Sequence, residues 1–470
     1  MDVDASNFKQ SLSRLQDLLD DADFVGLDIE FTGLRSNSSQ QIRPSLVLFD
    51  SPSEWYQKTR QSIQQFTICQ IGFSSLSLLY RYVAHSYNFF LFPTTFGILD
   101  SEFSFQASSV QFLNQYGFDY NKFLKKGIPY MNEEQEKKIR QSILRGNWRV
   151  RSSLDKDQIK VVIDKVTRWL DLAEEDDRMT LPGIYGRQEA ISPHLGAQGW
   201  SEQCTRGQGF CVLFWRLSPL IGHNMMMDLL HLHEKFFKPL PESYDEFKQN
   251  IHSLFPVIID TKNVTKDIWK VMNAFDLNPT NNSGPEIMHG RDCEKYVETK
   301  CPHEAGYDAF LCGSVLLKVA HLLLEKVYGN DSVDELTFSQ YLDVLEPYVN
   351  QVNLIRAGVP KINLSGPDYP SIRPPVLILT VKSPEVTEHQ VYREFQNLCK
   401  FDVRRFTANQ FLLLTNKFKD ARSVLKEYKN HPNLQISLYR YWKHSPNITC
   451  LLRVCGIITT WAAIALVLGR

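Results

Sequence analysis

The sequence predicts an α/β domain followed by a smaller α+β domain and an apolar C-terminal helix. Three observations carry that expectation. Apolar runs rich in β-branched and aromatic residues (VGLDIEFTGL, FTICQIGFS, NFFLFP) recur among helical segments in the first hundred residues. Beyond the Pro-rich break PDYPSIRPP, six segments read strand, helix, strand, strand, helix, strand. From Val454 to Leu468 no charged residue occurs. A length of 470 residues allows two or three domains, enough for more than one core. Lys+Arg 52 against Asp+Glu 53, with 43% hydrophobic residues, excludes a disordered chain and an all-basic nucleic-acid binder. Any nucleic-acid surface is therefore local.

The elements follow in order. A first helix is expected over about 8 to 20, then the strand VGLDIEFTGL, which alternates apolar and polar residues. Residues 133 to 145 and 156 to 173 have helical spacing, whereas about 178 to 218 shows no clear period and reads as an irregular insert. Order returns with LFWRLSPLIGHNMMMDLLHLHEKFF, the short strand FPVIIDTK and the long helix YDAFLCGSVLLKVAHLLLEKVY. We place the first domain at 1 to 360 and the second, of ferredoxin-like βαββαβ order, at 376 to 441. That order also serves RNA-recognition domains, yet QFLLLTN lacks the paired aromatics of a base-stacking strand, so base readout and a purely structural role both stay open.

The nine cysteines are odd in number and scattered, with no CxxC pair, which suggests neither a disulfide framework nor a zinc ribbon and fits a reducing compartment. The N-terminus is acidic and amphipathic and does not read as a signal peptide. Residues 450 to 469 contain a single charge, Arg453, and as a helix would span about 30 Å, the thickness of a bilayer core. The run is apolar around its whole circumference, which favours lipid over a buried stripe. Arg440, Lys443, His444 and Arg453 lie before or at its start, so the body should stay on the cytosolic side of a tail anchor in the endoplasmic reticulum or mitochondrial outer membrane. The sequons at Asn37, Asn263, Asn281, Asn363 and Asn447 would then remain unglycosylated.

The chemistry is carried by acids. Period-two alternation puts Val25, Leu27, Ile29 and Phe31 on one face of the first strand and Asp28 with Glu30 on the other. An isolated D-x-E is usually a solvated strand face. On the first strand of an α/β unit, however, two covered carboxylates would repel each other unless a cation neutralised them. In Gly222-His223-Asn224-Met225-Met226-Met227-Asp228, Asn224 is expected to cap a helix carrying Asp228 in its first turn. In His303-Glu304-Ala305-Gly306-Tyr307-Asp308, the five-residue interval lets His303 and Asp308 share a site only if His303 precedes the helix. Four carboxylates without a soft ligand suit two Mg²⁺ ions, with Mn²⁺ as a substitute, better than zinc. Such a pair could promote in-line attack of water on a phosphodiester, with His303 accepting the water's proton. The rival zinc pair His231-x-His233 fails because i and i+2 on a helix point apart.

In that order, DIEFTGL, GHNMMMDLLH and HEAGYDAF resemble the three motifs of the DEDDh exonuclease superfamily. Together with FTICQIGFS, FLFPTTFG, FPVIIDTK and INLSGPDYP they resemble the poly(A)-specific ribonuclease family, and the apolar tail points to its piRNA-trimming branch. The resemblance implies an RNase H-like sheet and 3′-to-5′ hydrolysis of single-stranded RNA. It makes Asp28, Glu30, Asp228 and Asp308 the metal-binding acids and His303 the general base. It further implies a tudor-domain partner that presents a PIWI-bound RNA to the tethered enzyme. Two segments, about 184 to 218 and the one near 275, are short against the family pattern. A poly(A) deadenylase and a catalytically weak membrane-tethered RNA-binding scaffold are the alternatives left open.

Overall fold

The computed structural model describes residues 1–34, 47–78, 81–94, 99, 101–144, 219–275, 284–328, 337–371 and 373–469. The helix expected at 156 to 173, the irregular stretch at 178 to 218 and the sequons at Asn37 and Asn281 lie outside them. The chain divides into two compact units. The first comprises Met1–Arg43, Tyr56–Leu354 and Lys361–Asp368; the second comprises Pro44–Trp55, Ile355–Pro360 and Tyr369–Arg470.

The first unit is built on a mixed sheet of order β1-β4-β3-β2-β6-β7. Its strands are β1 (Asp2–Val3), β2 (Phe24–Phe31), β3 (Ile68–Leu78), β4 (Tyr82–Pro93), β6 (Leu220–Gly222) and β7 (Ile258–Asp260), with β5 (Ile128–Tyr130) and β8 (Ile287–His289) also paired to β4. The β2-β3 and β3-β4 pairs are antiparallel, whereas β6 runs parallel to β2 and β7 parallel to β6. The first helix, Phe8–Asp20, buries Phe8, Leu15 and Leu19, the spacing its amphipathic sequence dictates.

The helix Ala305–Tyr328 packs on the sheet through Leu316, Leu317, Ala320 and Leu324, which share a core with Phe24, Leu76, Ile221, Ile259 and Tyr341. Each fully buried side chain of this kind contributes about 1.5–3 kcal/mol of transfer free energy. This helix is long and apolar enough to cross a membrane, but half of its apolar window is buried inside the unit.

In the first unit β9 (Gln351–Asn353) and β10 (Lys361–Asn363) form a separate antiparallel pair. The second unit contains β11 (Leu377–Val381), β12 (Phe401–Thr407), β13 (Gln410–Thr415) and β14 (Leu434–Leu438) in an antiparallel sheet of order β12-β13-β11-β14. The helices Glu388–Phe395 and Phe418–Glu427 cover one face, burying Val391, Phe395, Ala421 and Val424 against Leu377, Leu379, Phe411 and Leu413. Alternation turns Asp402 to the other face. There its carboxylate accepts from the Leu48 N–H at 2.7 Å and from Arg356 Nη2 at 2.8 Å. The Trp55 indole N–H donates to Ile355 O at 2.9 Å. These bonds draw residues 47–55 and 355–360 into the second unit. The helix Pro446–Leu468 exposes every side chain described from Cys450 onward, and it too is long and apolar enough to cross a membrane.

Candidate active site

Strand β2 delivers the first pair of acids. Asp28 lies opposite Gly72 of β3, and the register slips between Glu30 and Phe31, a bulge at the end of the strand that carries both carboxylates. Two glycines decide what lies above this strand. A Cβ on Gly72 would fall 1.9 Å from the carbonyl carbon and oxygen of Ala305, and one on Gly26 would fall 2.2 Å from Ala309 O. The first turns of the Ala305–Tyr328 helix therefore rest directly on the backbones of β2 and β3. Side chains of the sheet satisfy its opening N–H groups: Ala305 N–H donates to Gln70 Oε1 at 3.0 Å, and Gly306 N–H to Asn88 Oδ1 at 2.6 Å. That seating brings Asp308 over the strand acids.

His303 precedes the helix by two residues and has φ +63°, a left-handed backbone that costs a bulky residue conformational energy and is found at functional sites. The strain is offset locally, because its N–H donates to Asp308 Oδ2 at 3.0 Å. Its Nδ1 lies 3.9 Å from the same oxygen. One ligand atom each from Glu30, His303 and Asp308 lie within 4.8 Å of one another, a grouping able to hold a metal ion. The imidazole is flanked by the rings of Phe112 and Tyr116, with centroids at 4.6 and 4.2 Å. Both rings are exposed, at 41% and 42%. Sequence reasoning missed them, although aromatics at i and i+4 on an otherwise polar segment (ASSVQFLNQY) were a readable signal.

Asp228 sits in the first turn of the helix Met226–Leu232, which follows β6. The expectation that Asn224 caps this helix is corrected. Met225 is the N-cap and no side chain caps the turn. Asn224 instead takes φ +63°, and its Oδ1 accepts from Asn353 Nδ2 at 2.6 Å. Its own N–H and that of Met225 go to Asp260. The two histidines further along serve separate ends. The buried His231 ring stacks on Phe31 and its Nδ1–H donates to Met227 O, while the His233 Nδ1–H donates to Lys238 O.

The electrostatics show what the acids require. Burial, then the neighbouring Asp308 carboxylate, pushes Asp28 up to about 8. Burial, then Asp28, Asp308 and Asp228, holds Glu30 well above the carboxylate range. Burial and Asp28 do the same to Asp228, and burial raises Asp308, which the His303 N–H and imidazole partly counter. The carboxyls act on one another as like charges withdrawn from water. A divalent cation is the charge that relieves this, and a donor set of four carboxylates fits Mg²⁺ or Mn²⁺.

A mixed sheet with clustered carboxylates at the end of its central strand, overlaid by a helix start that adds an acid and a histidine, is the layout of a phosphodiester-cleaving nuclease. Residues 3–316 match the model of the CAF1 family ribonuclease, and the chain belongs to that family. Among curated relatives, the Mus musculus poly(A)-specific ribonuclease PNLDC1 is 69% identical over 531 positions, covering 100% of this chain and 99% of the relative. That alignment is longer than the chain's 470 residues, so the relative holds segments this chain lacks. The Bombyx mori pre-piRNA 3′-exonuclease trimmer is 28% identical over 514 positions, covering 95% and 94%. Of solved structures, the Mg²⁺- and Mn²⁺-bound form of S. pombe Pop2p matches at 17% identity and TM-score 0.38, covering 75% of this chain and 97% of that one.

Proposed function

We propose that this chain, a 3′-to-5′ exoribonuclease, trims the 3′ ends of single-stranded piRNA precursors by cation-assisted hydrolysis. The exoribonuclease activity rests on family membership and on full-length similarity to ribonucleases. The piRNA reading is supported by the trimmer among its relatives. The observation that carries the mechanism is the gathering of Glu30, His303 and Asp308 within 4.8 Å, with Asp28 and Asp228 in electrostatic reach of that group.

In this reading Asp28, Glu30, Asp228 and Asp308 hold two divalent cations. When bound, such a pair supplies Lewis acidity to the attacking and the leaving oxygen of a phosphodiester. His303 takes the proton of the attacking water, its ring fixed by the left-handed backbone and by the Phe112 and Tyr116 rings. The same exposed rings offer faces on which an unpaired base can stack, as single-stranded RNA recognition commonly requires. The βαββαβ unit at 376 to 441 is read as ferredoxin-like, and the Pro446–Leu468 helix as the membrane anchor. A tudor-domain partner presenting a PIWI-bound RNA completes the proposal.

Purified chain incubated with Mg²⁺ and a 5′-labelled single-stranded RNA should give a ladder of 3′-shortened products that chelation abolishes. Asp28→Ala should lose the ladder while keeping the thermal transition. Equal laddering by wild type and Asp28→Ala would refute the site. The poly(A)-specific name of the mouse relative favours a second reading, deadenylation. An RNA ending in mixed sequence separates the two: a trimmer shortens it as fast as an A tail, a deadenylase does not.

A further inference from the structure

Asp260 ends β7 with no exposed surface. Its two carboxylate oxygens accept four backbone N–H groups. Oδ1 takes those of Asn224 at 2.8 Å and Lys262 at 3.0 Å; Oδ2 takes those of Met225 at 3.3 Å and Asn353 at 2.9 Å. The donors come from the turn after β6, from the start of the Thr261–Phe275 helix and from β9 (Gln351–Asn353). One buried group thus ties three separate segments together. A carboxylate is suited to this because it is acceptor-only and can serve four donors at once, and four N–H dipoles replace the water it has lost.

The tie has a direction. The Asn224 backbone is left-handed, φ +63°, and its side chain is held by Asn353 Nδ2 at 2.6 Å. Met225, the next residue, is the N-cap of the helix that carries Asp228, and its carbonyl accepts the Leu229 N–H at 2.9 Å. The Met226–Leu232 helix has no side-chain cap of its own. Its entry is set by the grip on the Asn224 and Met225 N–H groups, and Asp228 follows Met225 by three residues.

We propose that Asp260 is a positioning residue for the exonuclease site, fixing where the Asp228 carboxylate stands for cation binding without itself touching cation or RNA. The proposal rests on the reading of Asp228 as a cation-holding acid. Partners that orient ligating groups are typically worth 10–100-fold in metal affinity.

The test uses the full chain, with Mg²⁺ and Mn²⁺ titrated by calorimetry beside kinetics on a 3′-hydroxyl RNA and thermal melts. In Asp260→Asn an amide NH₂ must face N–H donors, so the turn shifts. Mg²⁺ affinity should fall about 10-fold or more, and kcat should fall with KM for RNA little changed. Asp260→Glu keeps the charge but moves the oxygens by a methylene, and it should lose affinity comparably. Wild-type Mg²⁺ affinity in either folded variant overturns the proposal, and in Asp260→Glu it would show that charge alone is what matters. If both variants fail to fold, Asn353→Ala, which releases the Asn224 side chain and the Lys266 ammonium while the backbone N–H of residue 353 stays on Asp260, decides. A weakened Mg²⁺ affinity with an unchanged melt supports the proposal, and wild-type affinity sinks it. Asp228→Asn separates this from the parent reading: were it to bind Mg²⁺ like wild type, the assignment of Asp228 fails, whatever Asp260 does.

Discussion

At the scale of single residues, the site gathers carboxyl groups that the protein has withdrawn from water and set against one another. Asp28 is the clearest case, raised from the usual 3.8 to about 8 by burial and by Asp308. In the metal-free fold it keeps its proton through a range in which the unfolded chain has lost it. The folded state then binds more protons than the unfolded between about pH 4 and 8, and stability falls as pH rises through that window. A divalent cation needs the ionised form, so its binding competes with the proton. Apparent Mg²⁺ affinity should climb from pH 6 to pH 8, by up to about tenfold per pH unit for each proton displaced, and the melting temperature gained from Mg²⁺ should be larger at pH 8 than at pH 6. Calorimetric titrations at the two pH values read this directly, and a flat affinity would contradict it. The acids were legible in the sequence because a two-residue strand period puts Asp28 and Glu30 side by side. The role of Asn224 was not, because a capping asparagine and a left-handed one have the same local sequence, and the choice is made by Asp260 and Asn353, which are distant in the chain.

Among the elements, the Ala305–Tyr328 helix carries two duties that composition alone does not separate. Its apolar run reads as a core helix and equally as a membrane span, yet it begins with the polar turn that brings Asp308 to the strand acids. Its seat on Gly26 and Gly72 could not be read from the sequence, since a glycine in a strand signals close approach without naming the partner. Gly72→Ala probes the seat. The added methyl meets the Ala305 backbone, which cannot rotate away, so the helix start must lift, at about 1–3 kcal/mol. Leu317→Ala, in the fully buried middle of the same helix, should cost more stability, about 2–5 kcal/mol, while leaving the site in register. Denaturant melts and RNA-shortening rates measured together should therefore disagree in rank: Leu317→Ala the less stable, Gly72→Ala the less active. If activity simply followed stability in both, the glycine seat would have no special part in catalysis.

For the whole molecule, two helices of similar length and apolar character meet different fates. The helix Ala305–Tyr328 buries its apolar side in the first unit, whereas the Pro446–Leu468 helix exposes Ile457, Trp461 and Leu466 at 59%, 68% and 76%. In water that surface is unfavourable by about 25 cal/mol per Å², and as the proposed anchor the helix would lose that cost in a bilayer over a 20-residue length. The charge distribution agrees. Residues 376 to 445 hold twelve Lys and Arg against six Asp and Glu, although the chain as a whole is at −1. Beside the proposed span, positive charge of that kind would favour the cytosolic face and be drawn to anionic headgroups. Expressed in cells, the full chain should pellet with membranes, resist extraction by high salt and be released by detergent. Deletion of 446 to 470 should move it to the soluble fraction while leaving its rate on free RNA within about twofold, because the proposed catalytic groups all lie in the first unit. A deleted chain that still sediments with membranes would locate the attachment elsewhere. One that becomes soluble but loses its rate on free RNA would show that the helix supports the enzyme itself and does more than hold it at a surface.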